Sequence, residues 1–257
     1  MTSGDRKGRS PLIIASIYGY VNVVGLIIKE IIHSSTELNA RKIYIDFQDY
    51  KGRSSLFHAA ANGHLNVVNL LVGSGADLDI KTNKRHVQPG STPLMASVEK
   101  NELHCFKFLL EHGASIFALR EDGADALYIA ARYGHKEIID RFSELEEFSF
   151  LVNRPTFRRR TPIIPAAFHG HVLVCKILFP ALKELDHQDV DGATALMYAS
   201  IKGNMNAVKW LLSYGSNIHI KNKAGETALS YAICGGQRDV VQYLKRVEKK
   251  QDMEKEN

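Results

Sequence analysis

The chain has 257 residues, 45% hydrophobic and 24% charged, proportions that suit a globular protein and exclude a disordered or collagen-like one. Its 33 Lys and Arg against 28 Asp and Glu give a formal charge of +5, too weak alone to imply nucleic acid. Cys105, Cys175 and Cys234 stand 70 and 59 residues apart, which excludes metal-ligand spacing and leaves one thiol over from any intrachain bridge. With no Asn-x-Ser/Thr acceptor either, the expected setting is a reducing one, the cytoplasm or the nucleus.

The first expected element lies in Pro11–Ile28, 18 residues without formal charge that follow Arg6, Lys7 and Arg9, the outline of a signal peptide or anchor. Ser16, Tyr18, Tyr20 and Asn22 interrupt it, and two glycines sit inside it. It also fits a template that recurs six more times, so it is expected to be a repeat and no membrane segment is expected.

In chain order the template runs Gly8-Arg-Ser-Pro-Leu12, Gly52-Arg-Ser-Ser-Leu56, Gly90-Ser-Thr-Pro-Leu94, Gly123-Ala-Asp-Ala-Leu127, Arg159-Arg-Thr-Pro-Ile163, Gly192-Ala-Thr-Ala-Leu196 and Gly225-Glu-Thr-Ala-Leu229. Successive starts differ by 44, 38, 33, 36, 33 and 33 residues, a 33-residue period with insertions of 11, 5 and 3. One domain over 1–257 is expected, with copies near 5–48, 49–86, 87–119, 120–155, 156–188, 189–221 and 222–257.

Each column has a physical task. Ser10, Ser54, Thr92, Asp125, Thr161, Thr194 and Thr227 are helix N-cap types, and Pro11, Pro93 and Pro162 follow at the first helical position. Ala15, Ala59, Ser97, Ala130, Ala166, Ala199 and Ala232 are small enough for neighbouring helices to approach closely. Gly19, Gly63, Asn101, Gly134, Gly170, Gly203 and Gly236 can end the helix in the left-handed conformation. A second apolar helix follows, as in Val67-Val68-Asn69-Leu70-Leu71 and Val208-Lys209-Trp210-Leu211-Leu212.

This pattern resembles the ankyrin repeat over nearly the whole chain, most closely in the second copy, from Gly52-Arg-Ser-Ser-Leu-Phe-His-Ala-Ala to Gly75-Ala-Asp. The resemblance implies an all-α solenoid of seven stacked helix-turn-helix units joined by hairpin-like fingers. The His that the family often carries after the Leu is replaced by Ile13, Phe57, Met95, Tyr128, Ile164, Met197 and Ser230. A 33-residue helix pair cannot bury its apolar face alone, so neighbours supply the core and the end copies need a wettable side. The last copy has one in Lys245, Arg246, Glu248, Lys249 and Lys250, whereas the first, rich in isoleucine, needs the insertion near Leu38–Asp46 or a partner to cover it. An irregularity is expected between the fourth and fifth copies, where Pro165 enters a first helix at its fourth position and Pro180 shortens a second helix.

No phosphate-binding Gly-x-x-x-x-Gly-Lys, Gly-x-Ser-x-Gly, His-Glu-x-x-His or calcium-loop pattern is present, so neither an enzyme nor a cofactor is expected. His169 and His171 flank a helix-ending glycine that should turn the rings apart, and two nitrogens without a third make a poor zinc site. Cys105 and Cys175 fit apolar stripes, and Cys234 falls on an exposed side.

The resemblance places ligands in the concave groove formed by the finger tips and the exposed side of the first helices. Tyr18, Tyr50, Tyr133, Phe157 and Phe168 fall there beside Arg9, Arg53, Arg132, Arg158 and Arg160, the composition of interface hot spots. The expected anchor is the set Arg132, Tyr133, Phe157, Arg158, Arg160 and Phe168, and the expected partner is a protein or peptide with carboxylates and an apolar residue. The run Arg154–Arg160 is either a binding or targeting element or a solvated tip. Two alternatives stand beside this. Ser10–Ala15 and the first insertion resemble the amino-terminal arrays of the Fem-1 receptors, which implies a substrate receptor of a ubiquitin ligase. The other is nucleic-acid binding through the basic tips, with no groove-entering element to support it.

Overall fold

The repeat columns become helix boundaries in the computed structural model, which describes residues 4–34 and 38–255. Ser10, Ser54, Thr92, Thr194 and Thr227 each accept the backbone N–H three residues on, at 3.1–3.5 Å, which satisfies one of the free donors of a helix start. Thr161 does not. Pro165, four residues on, has no N–H for the Thr161 carbonyl, so the Ile164 N–H closes on that carbonyl and the Thr161 hydroxyl is buried without a hydrogen-bond partner. At the other end, all seven residues of the helix-stop column are left-handed, with Asn101 at φ 60° doing what the glycines do elsewhere.

The chain forms two compact units, Met1–Ala126 and Leu127–Asn257. In the first, α1 (Pro11–Ile17), α4 (Ser55–Ala61) and α6 (Pro93–Glu99) pack in succession. Behind them α2 (Val21–Ser34), α5 (Leu65–Gly73) and α7 (Leu103–Glu111) form a second layer. Leu12, Ile13, Leu56, Leu94 and Met95 from one layer and Val24, Val67, Leu71, Phe106 and Leu109 from the other are buried.

The insertion folds as α3 (Leu38–Ile45) and packs on α2. It covers the first copy only partly. Tyr44 and Phe47 close one side of a cavity of about 280 Å³ whose other walls include Pro11, Leu12, Leu26, Ile27 and Ile31, and Leu26 stays exposed.

In the second unit, which begins inside α8 (Ala126–Tyr133), the first helices α11 (Ile163–His169), α13 (Ala195–Lys202) and α15 (Ala228–Cys234) pack in succession. The second helices α9 (Lys136–Ser143), α12 (Val172–Leu178), α14 (Met205–Ser213) and α16 (Arg238–Lys255) do the same. On α16, Val240 and Leu244 are buried while Lys245, Arg246, Lys249 and Lys250 face water, the wettable side expected of the last copy.

The irregularity expected between the fourth and fifth copies is present, in a different form. An additional helix, α10 (Phe148–Asn153), fills the connection, and α12 ends at Leu178 in a 3-10 turn, Phe179–Ala181, containing Pro180. Asn153 ties the two together, donating to the Ala181 carbonyl at 2.7 Å and accepting the Lys183 N–H at 2.8 Å. Pro165 forfeits the backbone bond that Ile14, His58, Ala96, Tyr198 and Tyr231 make at the same position to the carbonyl four residues back, as expected; α11 starts at Ile163, so Pro165 is its third residue.

The described residues contain no strand, only an isolated antiparallel bridge between Gln48 and Ser54, so the fingers are tight turns more than hairpins. An acid or amide organises four of them. Oδ1 of Asp5, Asp49, Asp189 and Asn222 each accepts the backbone N–H groups two and four residues on, at 2.9–3.0 Å. Successive fingers are stitched by single backbone bonds. Tyr50 N–H donates to Lys7 and Asn83 N–H to Lys51 in the first unit, and Val190 N–H to Arg158 and Lys223 N–H to Asp191 in the second.

Candidate functional site

The expected contact residues fall into separate places. In the first unit, Arg9 is ion-paired with Asp5, and Arg53 with Asp49 at 2.7 Å. The Tyr50 ring lies over Gly8, where a side chain would meet it, and Tyr18 stacks on Tyr20 with centroids 5.7 Å apart. Both tyrosines are exposed, but the arginines beside them are spent on their own fingers.

In the second unit the six anchor residues divide. Arg132, Arg160 and Phe168 line one cavity of about 320 Å³ together with Tyr128, Ile164, Pro165, His169 and Tyr198. Phe157 and Arg158 are not in it. Phe157 is 70% exposed at the finger tip, and Arg158 pairs with Asp191 at 2.7 Å, both side chains in water. Tyr133 stands beside the cavity, stacked on His135, with the Arg132 guanidinium 5.9 Å from its ring centroid.

The cavity is built from two repeats of local chemistry. Asp189 sits at the base of a finger with its carboxylate fully buried, accepting Tyr198 Oη at 2.7 Å and Arg160 Nε at 3.1 Å. Arg160 also donates from Nη2 to Tyr198 Oη at 2.6 Å and lies 4.9 Å from that ring's centroid. Burial pushes the Asp189 carboxyl up, but the hydrogen bonds from Tyr198, the Ala193 N–H and Arg160 outweigh it and hold the group below the usual carboxylate range. The same burial, reinforced by the bond to Asp189, pushes the Tyr198 hydroxyl up to about 12. One wall is therefore a locked Asp–Arg–Tyr network.

Arg132 also lines the cavity, and Lys202, outside its lining, lies close to one of its residues. Arg132 is exposed and has no ion-pair partner among the described residues. The Lys202 ammonium, also exposed, stands 4.8 Å from the centroid of the Phe168 ring, which forms the floor with Ile164 and Pro165. His169 lines the same cavity. Burial, then the proximity of His171, Arg132 and Lys202, holds its imidazole below the ordinary histidine value.

The His169 and His171 rings do not diverge, as the intervening glycine had suggested. They stack with centroids 5.8 Å apart and planes at 22°, because His171 turns back to bond the Arg132 carbonyl at 3.2 Å. His64 makes the equivalent bond to the Ile17 carbonyl at 3.0 Å. No group of three or more His, Cys, Asp or Glu side chains among the described residues is placed to hold a metal ion. Cys105 and Cys175 are buried and Cys234 is exposed. No helix is long and apolar enough to cross a membrane, again among the described residues.

Tyr128 and Tyr198 were missed as cavity residues. A signal for Tyr198 exists in the spacing: Asp189 to Tyr198, Asn222 to Tyr231 and Asp49 to His58 are each nine residues apart, and each pair is hydrogen-bonded.

The sequence matches the family described as "Ankyrin repeats (3 copies)" over residues 1–82, 81–149 and 163–257. Inversin from Canis lupus familiaris is 32% identical over 152 residues, 56% of this chain and 13% of inversin. Human inversin is 32% identical over 154 residues, again 56% of this chain and 14% of its own length. Palmitoyltransferase AKR1 of Lachancea kluyveri is 27% identical over 171 residues, 65% of this chain and 23% of the enzyme. The chain thus spans less than a quarter of each of these relatives. Among solved structures, the ankyrin repeat domain of Bcl-3 superposes with a TM-score of 0.70 at 22% identity, covering 93% of this chain and all of that one. The human ASB11 ankyrin repeat domain gives a TM-score of 0.70 at 23% identity, covering 92% and 98%. Repeats of this kind are generally non-enzymatic protein–protein interaction modules. Helix columns, left-handed stops, the matched family and the superposed structures agree: the chain belongs to the ankyrin-repeat family, with the all-α solenoid fold of that family.

Proposed function

We propose that the protein is a non-enzymatic interaction module that seats a segment of another protein in the cavity of its second unit. One observation carries this. Arg132, Arg160 and Phe168 line a concave space of about 320 Å³, Arg160 is fixed there by the buried Asp189, Arg132 is exposed, and the Lys202 ammonium stands 4.8 Å from the centroid of the Phe168 ring. A preformed concave surface with aromatic and Arg side chains is where binding energy concentrates, because little ordering is left to do when a partner arrives. A partner residue with an acidic group would meet Arg132 and Lys202, and an apolar anchor would meet Phe168 and Pro165.

The basic tips support nucleic acid poorly, since Arg9, Arg53, Arg158 and Arg160 each face an aspartate of this chain. Affinity capture with the intact protein beside a Tyr133→Ala/Phe168→Ala double variant tests the proposal, with thermal melting as the control for folding. The expected result is a partner recovered by the wild type and lost by a folded variant. Recovery of the same proteins by both would contradict it.

A further inference from the structure

We propose that the anchor this cavity takes is a phosphotyrosine side chain of the partner segment, an inference that rests on the interaction proposed above and names its chemistry.

The floor and walls fit a ring. Phe168, Pro165 and Ile164 present apolar surface, and Tyr198 presents an aromatic one, around a space suited to one side chain and too small for a helix. The rim fits a dianion. Arg160 has its charge matched by Asp189, but Arg132, on the lining, and Lys202, 4.8 Å from the centroid of the lining Phe168 ring, have no ion-pair partner among the described residues, and both act on the His169 imidazole that also lines the cavity. A carboxylate, with one charge and two oxygens, is satisfied by one of them. A phosphate monoester carries about −1.5 to −2 charge and three acceptor oxygens, so it uses the Arg132 fork and the Lys202 ammonium together. His169, on the cavity lining and within the influence of both cations, adds a third donor.

The two halves of the ligand must arrive joined. Phosphoserine would leave the ring subsite empty, and unmodified tyrosine would leave the cations unanswered. The rigidity of the site favours this selectivity. Tyr198 and Arg160 are locked to Asp189, and the backbone of Arg132 is held by His171, so the Tyr198–Arg160 wall cannot collapse onto a smaller ligand.

The test is a titration of the intact protein with phenyl phosphate, followed by amide NMR, with inorganic phosphate, phenylacetate and phenol as comparisons. Phenyl phosphate should move the amides of residues 164–169 and 198–202 and bind about tenfold or more tighter than each comparison. Arg132→Gln and Lys202→Gln should each weaken it by about tenfold, as loss of a charge-assisted bond does, while Lys221→Gln, an exposed lysine of another finger, should not. Inorganic phosphate binding as tightly would overturn the proposal by showing a bare anion patch. Phenylacetate binding as tightly would overturn it in favour of a carboxylate anchor, and no shift in these amides would overturn it outright. The interaction proposed above is judged separately, by partner loss in the Tyr133→Ala/Phe168→Ala variant.

Discussion

Arg160 donates its Nε to Oδ2 of Asp189 at 3.1 Å, across 29 residues of chain, and the Asp189 carboxylate is completely buried. The bond links one finger to the next and turns a charge that would point to solvent into part of a wall. The same carboxylate accepts the Asp191 and Ala193 N–H groups and the Tyr198 hydroxyl, so every lone-pair direction is used.

Replacing Asp189 should therefore be expensive. Asp189→Ala strands Arg160, the Tyr198 hydroxyl and two finger N–H groups, and should lower stability by about 3 kcal/mol. Asp191→Ala breaks an ion pair whose two side chains are both more than half exposed and should change stability by less than about 0.5 kcal/mol. Urea unfolding of the two variants checks the contrast.

The helix-stop column makes a second prediction. Gly134 has φ 77°, and a Cβ there would come within 2.5 Å of His171 Nδ1. Gly134→Ala should cost about 2 kcal/mol, combining the left-handed backbone with displacement of the His171 ring and its bond to Arg132. Asn101→Gly, at the one column position without glycine, should stay within about 1 kcal/mol of the wild type in the same measurement.

Most of the helical framework was legible in the sequence because its determinants are local. An N-cap hydroxyl, a first-turn proline and a left-handed stop act within one turn, so Ser54, Pro93 and Gly203 could be placed without knowing what they pack against. The failures are tertiary. Whether Arg160 is free depends on an aspartate 29 residues away, and the ring of His171 is aimed by a carbonyl 39 residues away, whereas Arg53 pairs with Asp49 within its own finger. Thr161 fails as a cap because Pro165, four residues on, has no N–H for the Thr161 carbonyl, which takes the Ile164 N–H that the hydroxyl would have received.

Stability should depend on pH in a definite window. His58, His86, His169 and His171 all lie below their ordinary value of 6.5, in each case chiefly through burial, and in His58 burial outweighs the hydrogen bond it donates to Asp49. Each takes up its proton more readily in the unfolded chain. Their contribution is complete above about pH 6.5 and is lost as pH falls through their folded values. Urea midpoints should hold steady from pH 8 to 7 and decline from about 6.5 to 5, and His58→Gln should shallow that decline. Asp5, lowered to about 2 by its bonds with Arg9, and the lowered Asp49 and Asp189 add a further loss only in the carboxylate range.

The thiols should separate cleanly. Burial pushes Cys105 up to about 11 and Cys175 up to about 12, while Cys234 is exposed. A disulfide reagent at pH 8 should modify one of the three thiols in the folded protein and all three in denaturant, and Cys234→Ser should abolish the native reaction.

We propose that a partner protein engages the cavity that Arg132 and Phe168 line. It is tested most directly by placing a photoreactive amino acid at position 169, on the cavity wall, and in a second protein at position 87, on the exposed Val87 of the first unit. Crosslinking to a captured partner from 169 and not from 87 is the predicted result. A partner crosslinked from 87, with none from 169, would contradict it.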